Sequence, residues 1–373
     1  MTDARMCSAC TLTTKDIGVD IDGSGVCSVC RFEGTHGKAT SVGWEELEKL
    51  TLHKKGSGDY DCLVCWSGGK DSTFVVDYLV RVKGWRVATF TFDNSFIAPG
   101  AFHNIDRITE RLKLKHFTVR ADADEYRTSL RVALEGFSSL PPESIYYKTI
   151  KDYGPVCYLC GAIFHSVAVK LALELGCKMI ATGFTVGQDP LYYADYKTQD
   201  AKGFADKVAK ARQPTLHTVD HWYGVGQLLR RYLGDAHSSA RDFFLTKEEH
   251  EKARDVAMFR LFDFIKYDPS TVVETIKQIG WETPAGVDSC STNCMVNSLG
   301  IEWYQAAFGC HLYAPEMAEY VRDGKMTKSD ALAVLGTRPD PALVRSLIKK
   351  IGLTEESFAA TTHSFSKPGE TSS

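Results

Sequence analysis

The chain has 373 residues, with 44 basic and 47 acidic side chains and a net charge of −3. That length allows two or three folding units with ample core, and the near-neutral balance does not favour non-specific nucleic-acid binding. The N-terminal MTDARMCSAC has no apolar segment and no run of 18 apolar residues occurs, so neither secretion nor membrane insertion is expected, and the expected compartment is cytoplasmic.

Twelve cysteines are present, eight of them in the CxxC pairs Cys7/Cys10, Cys27/Cys30, Cys62/Cys65 and Cys157/Cys160. In a reducing compartment, paired cysteines suggest metals before disulfides. Residues 7–30 read C-x2-C-x16-C-x2-C, within the spacing of a four-cysteine zinc site. Each CxxC aims two thiolates at one tetrahedral ion, and Gly23 and Gly25 supply a turn before the second pair. Such a site is closed and structural. Residues 31–56 read as a short helix and a polar linker ending in KKGSGD.

From Asp61 the pattern alternates strand and helix, as in a parallel α/β sheet. Strands are expected at 61–66, 86–93 and 115–119, and helices at 71–83, 101–112 and 122–135. The stretch CLVCWSGGKDS, residues 62–72, reads as strand, tight glycine turn and helix start. Gly68 and Gly69 let the backbone turn and bring its N–H groups to an anion, and the helix start adds unpaired donors and positive dipole. Ser67 and Ser72 offer hydroxyls and Lys70 a point charge for phosphate, while Asp71 is a candidate magnesium ligand or helix cap. The loop is too short for the GxxxxGK[ST] signature. Asp93 and Asn94, at the end of the second strand, are candidates beside a nucleotide or plain turn residues.

In residues 154–184 Pro155 opens a helix with apolar Ile163, Val167, Leu171 and Leu175 at helical spacing. Cys157 and Cys160 share one face of its first turn. A strand at 178–182 then delivers Gly183 to the carboxyl edge, where open α/β sheets bind ligands. The two cysteines are candidate metal ligands, buried small hydrophobes or a redox dithiol.

Residues 185–256 are the least readable part; within them VGQDPLYYADYKTQDAKG, residues 186–203, is polar and aromatic and reads as a lid or substrate-binding insertion. Helical segments at 202–212 and 223–233 carry Lys207, Lys210, Arg212, Arg230 and Arg231, which meet either an acidic substrate or solvent. A last strand is expected at 257–265, then a helix with Pro269 in its first turn and Asp268 or Ser270 as cap. In DSCSTNCMVNSLG, Cys290 or Cys294 is placed to join Cys157 and Cys160, with Cys294 preferred, and Ser291, Thr292 and Asn293 order the turn. Zinc is the competing occupant. Cys310 and His311 read as structural. A small helical region follows, with Thr327 as N-cap, and the tail from 363 is expected to be disordered.

The SGGKDS loop resembles that of the PP-loop ATP pyrophosphatase superfamily. The double knuckle with GVCSVC, the loop and DGKMTKSDALAVL are similar to the N-acetyl sugar amidotransferases. The CYLCG helix, its following ATGF and the STNC turn look like the iron–sulfur PP-loop tRNA thiolases, with Phe184 standing where that group commonly has His. The resemblance implies a doubly wound, mainly parallel α/β sheet of the PP-loop (HUP-like) kind. Its parts would be a zinc-ribbon-like knuckle and linker (1–56), an ATP pyrophosphatase domain (57–284), a C-terminal helical region (285–362) and a tail (363–373).

The implied chemistry is cleavage of ATP to AMP and pyrophosphate with adenylation of a substrate oxygen, using Mg2+. Ser67, Gly68, Gly69, Lys70, Asp71, Ser72, Asp93 and Gly183 would bind the nucleotide, with Lys70, Asp71, Cys157 and Cys160 in the chemistry. Cys157, Cys160 and Cys294 would hold a 4Fe–4S cluster with one open iron, and Cys7, Cys10, Cys27 and Cys30 zinc. Sulfur insertion is favoured over ammonia-dependent amidation because nitrogen transfer needs no cysteines there. A non-catalytic zinc-containing adaptor is the third reading. A small-molecule acceptor is preferred to tRNA, a donor protein would bring sulfur or ammonia, and a homodimer is left open.

Overall fold

The computed structural model of the chain describes residues 4–16, 18–36, 43–56, 58–137, 154–185, 188, 216, 218–233, 242–288 and 290–363. Its centre is a five-stranded sheet of β1 (Cys62–Cys65), β2 (Val87–Asp93), β3 (Lys115–Arg120), β4 (Met179–Thr182) and β5 (Ala257–Arg260). The order is β3-β2-β1-β4-β5, and every pairing is parallel. The first connections run one way from β1 and the later ones the other, so the order reverses between β1 and β4, the crevice where such sheets take ligands.

Strand alternation gives the sheet two buried faces. Leu63, Ala88, Phe90, Ile180 and Met258 point to one core. Cys62, Val64, Val87, Met179, Ala181 and Phe259 point to the other. Helices Ala123–Phe137, Pro155–Glu174 and Asn297–Phe308 cover the first. Trp44–Thr51, Lys70–Asp77, Pro99–Leu112 and Pro269–Lys277 cover the second. The Pro155–Glu174 helix is long and apolar enough to cross a membrane, but most of it is buried between its neighbours. An apolar helix with all sides covered is also what a large core requires.

Among the described residues, the C-terminal helices pack into the cores of the sheet rather than forming a separate one. Leu299 and Trp303 lie in the first core, and Met317 and Tyr320 in the second. The knuckle forms a third small cluster with Ala314 and Ala318.

Two expected elements differ. The last strand ends at Arg260, and a 3-10 turn, Leu261–Asp263, follows in place of strand to 265. Arg260 Nε donates to Asp263 Oδ2 at 2.9 Å, and the turn buries Leu261, Phe262 and Phe264 in the second core. The helix after the glycine loop runs Lys70–Asp77 and then widens into a π turn, Tyr78–Val82. Asp268 is the cap of the Pro269–Lys277 helix, accepting from Thr271 N–H at 2.9 Å, and Thr327 caps its helix through the Asp330 N–H. The segment 202–212, with Lys207, Lys210 and Arg212, lies outside the described residues, as does the tail from 364. Arg230 lies on the Asp220–Leu233 helix.

Candidate active site

The glycine loop leaves the carboxyl end of β1 at the crevice. Gly68 has φ +75°, and a Cβ there would stand 2.4 Å from the Ala101 carbonyl oxygen. Its own carbonyl accepts from Trp281 Nε1 at 3.0 Å and from Asn104 Nδ2 at 3.4 Å. Gly68 is therefore needed for close backbone packing as well as for the turn. Gly183, at the end of β4, has the same relation to the new helix, with a Cβ position 2.8 Å from Ser72 N. Ser67 and Ser72 hydroxyls are 3.1 Å apart, and Ser67 N–H donates to Ser72 Oγ at 3.2 Å.

A left-handed backbone costs a non-glycine residue about 1–2 kcal/mol, and overpacking roughly 1–3 more. Gly68→Ala is expected to lower the melting temperature by several degrees, measured by calorimetry.

Lys70 and Asp71 are paired and mostly buried. Lys70 Nζ is 2.5 Å from Asp71 Oδ2, with the side chains 16% and 17% exposed. Tyr267 bridges them: its hydroxyl donates to Asp71 Oδ1 at 2.7 Å and accepts from Lys70 Nζ at 3.0 Å. Burial opposes the charge on Lys70, but Asp71, Tyr267 and Glu316 together outweigh that and raise its pKa, keeping a cation at the helix start. Asp71 thus holds Lys70, and each of its oxygens keeps a second acceptor position.

Nearby, Glu316 is 4% exposed. Its Oε1 accepts from Thr185 Oγ1 at 3.1 Å and from the Tyr320 hydroxyl. Burial raises the Glu316 pKa despite the pull of Lys70.

Cys160 and Cys294 are brought together by one side chain. Asn94, 3% exposed, donates Nδ2 to Cys160 Sγ at 3.5 Å and to Cys294 Sγ at 3.8 Å. Its Oδ1 accepts from Phe96 N–H at 2.9 Å, which fixes the amide. Cys157, the exposed member, donates to Asn297 Oδ1 at 3.7 Å. Asn297 also binds the Tyr313 hydroxyl and Asp288. Asp288 in turn accepts from the N–H groups of Cys290 and Ser291, which ties the start of the 290–294 turn to Asn297.

Burial raises the Cys160 pKa, and raises that of Cys294 to about 12, so thiols rather than thiolates are favoured without a cation. The Tyr126 hydroxyl is buried facing Cys160 and Asn94. Asp93, by contrast, is occupied at the strand end, accepting from Ser95 N–H at 2.9 Å and pairing with Arg120 at 3.2 Å.

One turn joins the two halves of the site. Lys70 N–H donates to Thr292 Oγ1 at 3.0 Å. A Cβ on Gly69 would lie 3.1 Å from both Thr292 Oγ1 and Asn293 Oδ1. Two residues on, Cys294 meets Asn94 and bridges Ile97. Thr292 thus does more than order its own turn.

Away from the crevice, Cys7, Cys10, Cys27 and Cys30 have their sulfurs within 4.8 Å of one another, the one such group of three or more ligands among the described residues. Two edges are 3.9 Å (Cys7–Cys30) and 3.7 Å (Cys10–Cys27). A tetrahedral ion with bonds of about 2.3 Å needs edges near ~3.8 Å, so this group fits zinc. Hydrogen bonds from the Cys10 and Cys30 thiols favour the thiolate at Cys27, and the same bond favours the neutral thiol at Cys10. Four thiolates here would need a cation. Cys157, Cys160 and Cys294 are not so tightly gathered. Their wider spread, with the Asn94 amide and the Tyr126 hydroxyl beside Cys160, would suit a larger sulfur-rich anionic group better than one tetrahedral ion.

The sequence reading missed Tyr267, Glu316, Tyr320 and Tyr126. The usable signal was Glu316, a carboxylate among the buried positions Ala314, Met317 and Ala318 of its helix.

No family model matches the chain. An uncharacterized protein of Methanocaldococcus jannaschii is 20% identical over 349 residues, spanning 93% of this chain and 99% of its own. Among solved structures, the U34-tRNA thiolase NcsA from Methanococcus maripaludis with its 4Fe–4S cluster aligns at 12% identity. That alignment covers 94% of this chain and 89% of that one, with a TM-score of 0.37. A superposition of that quality assigns neither a fold nor a reaction, and the chain is described by its own parallel five-stranded α/β sheet and its N-terminal cysteine cluster.

Proposed function

We propose that the chain is an AMP-forming ATP pyrophosphatase that adenylates a carbonyl or amide oxygen of a small molecule and replaces it with sulfur. The observation that carries this reading is the 290–294 turn, which contacts the Lys70 amide through Thr292 and adjoins Cys160 through Cys294. Phosphate loop and sulfur site thereby open on one crevice.

The acceptor oxygen attacks the α-phosphorus of ATP, the bond to the β-phosphate oxygen breaks, and pyrophosphate leaves. Lys70 meets the growing charge on the leaving phosphates, with the Ser67 and Ser72 hydroxyls and the helix N-terminus beside it. Magnesium, when bound, neutralises phosphate charge, and Asp71 retains acceptor positions for it. Hydrosulfide from a donor then attacks the activated carbon, AMP departs with the former acceptor oxygen, and a carbon–sulfur bond remains.

Cys157, Cys160 and Cys294, with Cys290 as the alternative third ligand, would hold the cluster, which would supply an open iron for hydrosulfide. Asn94 would donate to two of the ligand sulfurs, as it does in the structure. The knuckle would carry zinc with no chemical part.

Anaerobically purified protein is expected to contain about four irons and one zinc per chain. With isotope-traced ATP and acceptor it should yield AMP and pyrophosphate. Cys157→Ser should remove the iron and keep the zinc. Zinc alone with full activity would instead favour ammonia-dependent amidation, and ADP formation would sink both readings.

A further inference from the structure

The Ala314–Arg322 helix has two working sides, set by residues four apart. Ala314 and Ala318 are buried in the cluster formed by Cys7, Cys10, Leu12, Val19 and Cys27. Glu316 and Tyr320 face the crevice, where the Tyr320 hydroxyl and Thr185 both donate to Glu316. The Tyr320 ring stacks on Tyr267, with centroids 5.8 Å apart, and the Tyr267 hydroxyl bridges Lys70 and Asp71.

Polar ties fix the knuckle to the same region. Arg322 pairs with Glu33 at 2.9 Å, the side chains 5% and 7% exposed. Lys328 Nζ donates to the Cys7 carbonyl at 2.6 Å and the Ser8 carbonyl at 3.2 Å. A buried pair is costly unless its geometry is held, and here it joins the two segments. A continuous run of packed groups therefore leads from the four thiols to the Lys70 ammonium.

We propose that Tyr267, Tyr320 and Glu316 are positioning residues for Lys70 and Asp71, and that the metal-loaded knuckle holds them in place. The inference rests on the ATP reading above and adds to it a remote requirement for the knuckle metal. Lys70 without its bridge is free to leave the β- and γ-phosphates, whereas contacts to the adenosine and α-phosphate do not depend on it. Loss of the bridge should therefore weaken ATP and spare AMP.

The test is calorimetric titration of the full chain with ATP and with AMP. Tyr267→Phe, which lacks only the bridging hydroxyl, is expected to bind ATP at least tenfold more weakly and AMP within twofold of wild type. Glu316→Leu, which strands the Thr185 and Tyr320 hydroxyls, should do the same, and Glu316→Gln, which restores an acceptor, should recover most of the loss. Zinc removal by chelation of the folded protein, with iron measured in parallel, should reproduce the Tyr267→Phe pattern. It should also speed amide hydrogen exchange in 314–322.

A merely structural role would lower both nucleotides together, and that outcome overturns the proposal. An unchanged ATP-to-AMP ratio in Tyr267→Phe overturns the positioning role, and an unchanged ratio after zinc removal overturns the role of the knuckle. Wild-type protein that binds neither nucleotide overturns the ATP reading and this inference with it. Binding by wild type with no effect of Tyr267→Phe overturns this inference alone.

Discussion

Lys70→Ala is expected to slow pyrophosphate release from ATP by about 10²–10³-fold, the usual effect of removing one preorganised donor from a developing charge. The reason lies in how the ammonium is held. It is mostly buried, paired with Asp71 at 2.5 Å and bonded to Tyr267, so its position is set before nucleotide arrives. Little reorganisation is then required in the transition state. The alanine also leaves Asp71 as a buried carboxylate without its cation, a loss that destabilises the helix start. Lys70→Arg keeps the charge but not the compact point geometry that fits between Asp71 and Tyr267, and should recover only part of the rate. Steady-state pyrophosphate release and the melting temperature, measured together, separate the two effects. A rate within threefold of wild type in folded Lys70→Ala protein would end the phosphate-loop reading.

The second large effect is expected at Cys294. On the 290–294 turn, Cys294 shares the Asn94 amide with Cys160, and Cys290 is tied through its N–H to Asp288. Cys294→Ser should therefore lose nearly all bound iron and labile sulfide, and with them sulfur transfer. Cys290→Ser should keep most of both. Zinc proposed for the Cys7, Cys10, Cys27 and Cys30 group should stay at one per chain in each. Iron lost from Cys290→Ser and kept in Cys294→Ser would reverse the ligand assignment. Iron and zinc analysis of anaerobic protein reads both outcomes.

The parallel sheet was legible because its strands are short apolar runs that alternate with amphipathic helices, and β1 to β3 fall within a residue or so of the expected positions. The last strand was read too long because Leu261, Phe262 and Phe264 are as apolar in a 3-10 turn as in a strand, and period alone does not separate them. The four-cysteine knuckle was legible from spacing, since two short loops around one ion restrict the chain. Lone groups were not. Tyr267 reaches Lys70 across 197 positions and Glu316 reaches Thr185 across 131, and no local pattern announces such pairs. Asn94 was read as a nucleotide neighbour or a turn residue, yet its amide lies on two sulfurs. The SGGKDS glycines were read for the tight turn and for phosphate approach, not for close packing. At Gly68 the backbone of Ala101 already occupies the space a Cβ would take.

The ties between the first and last parts of the chain bear on its synthesis. All five strands are complete by Arg260, so a nascent chain on the ribosome has the whole sheet sequence well before residues 314–328 emerge. The knuckle can gather its thiols around an ion early, because its ligands span only Cys7 to Cys30. Its apolar face must wait for Ala314 and Ala318, and Cys7 waits 321 positions for Lys328. Contacts of that sequence separation form late and slowly. A chain released before residue 314 would carry an N-terminal cysteine knuckle without Ala314 and Ala318 to pack on, and would be a natural target for proteases.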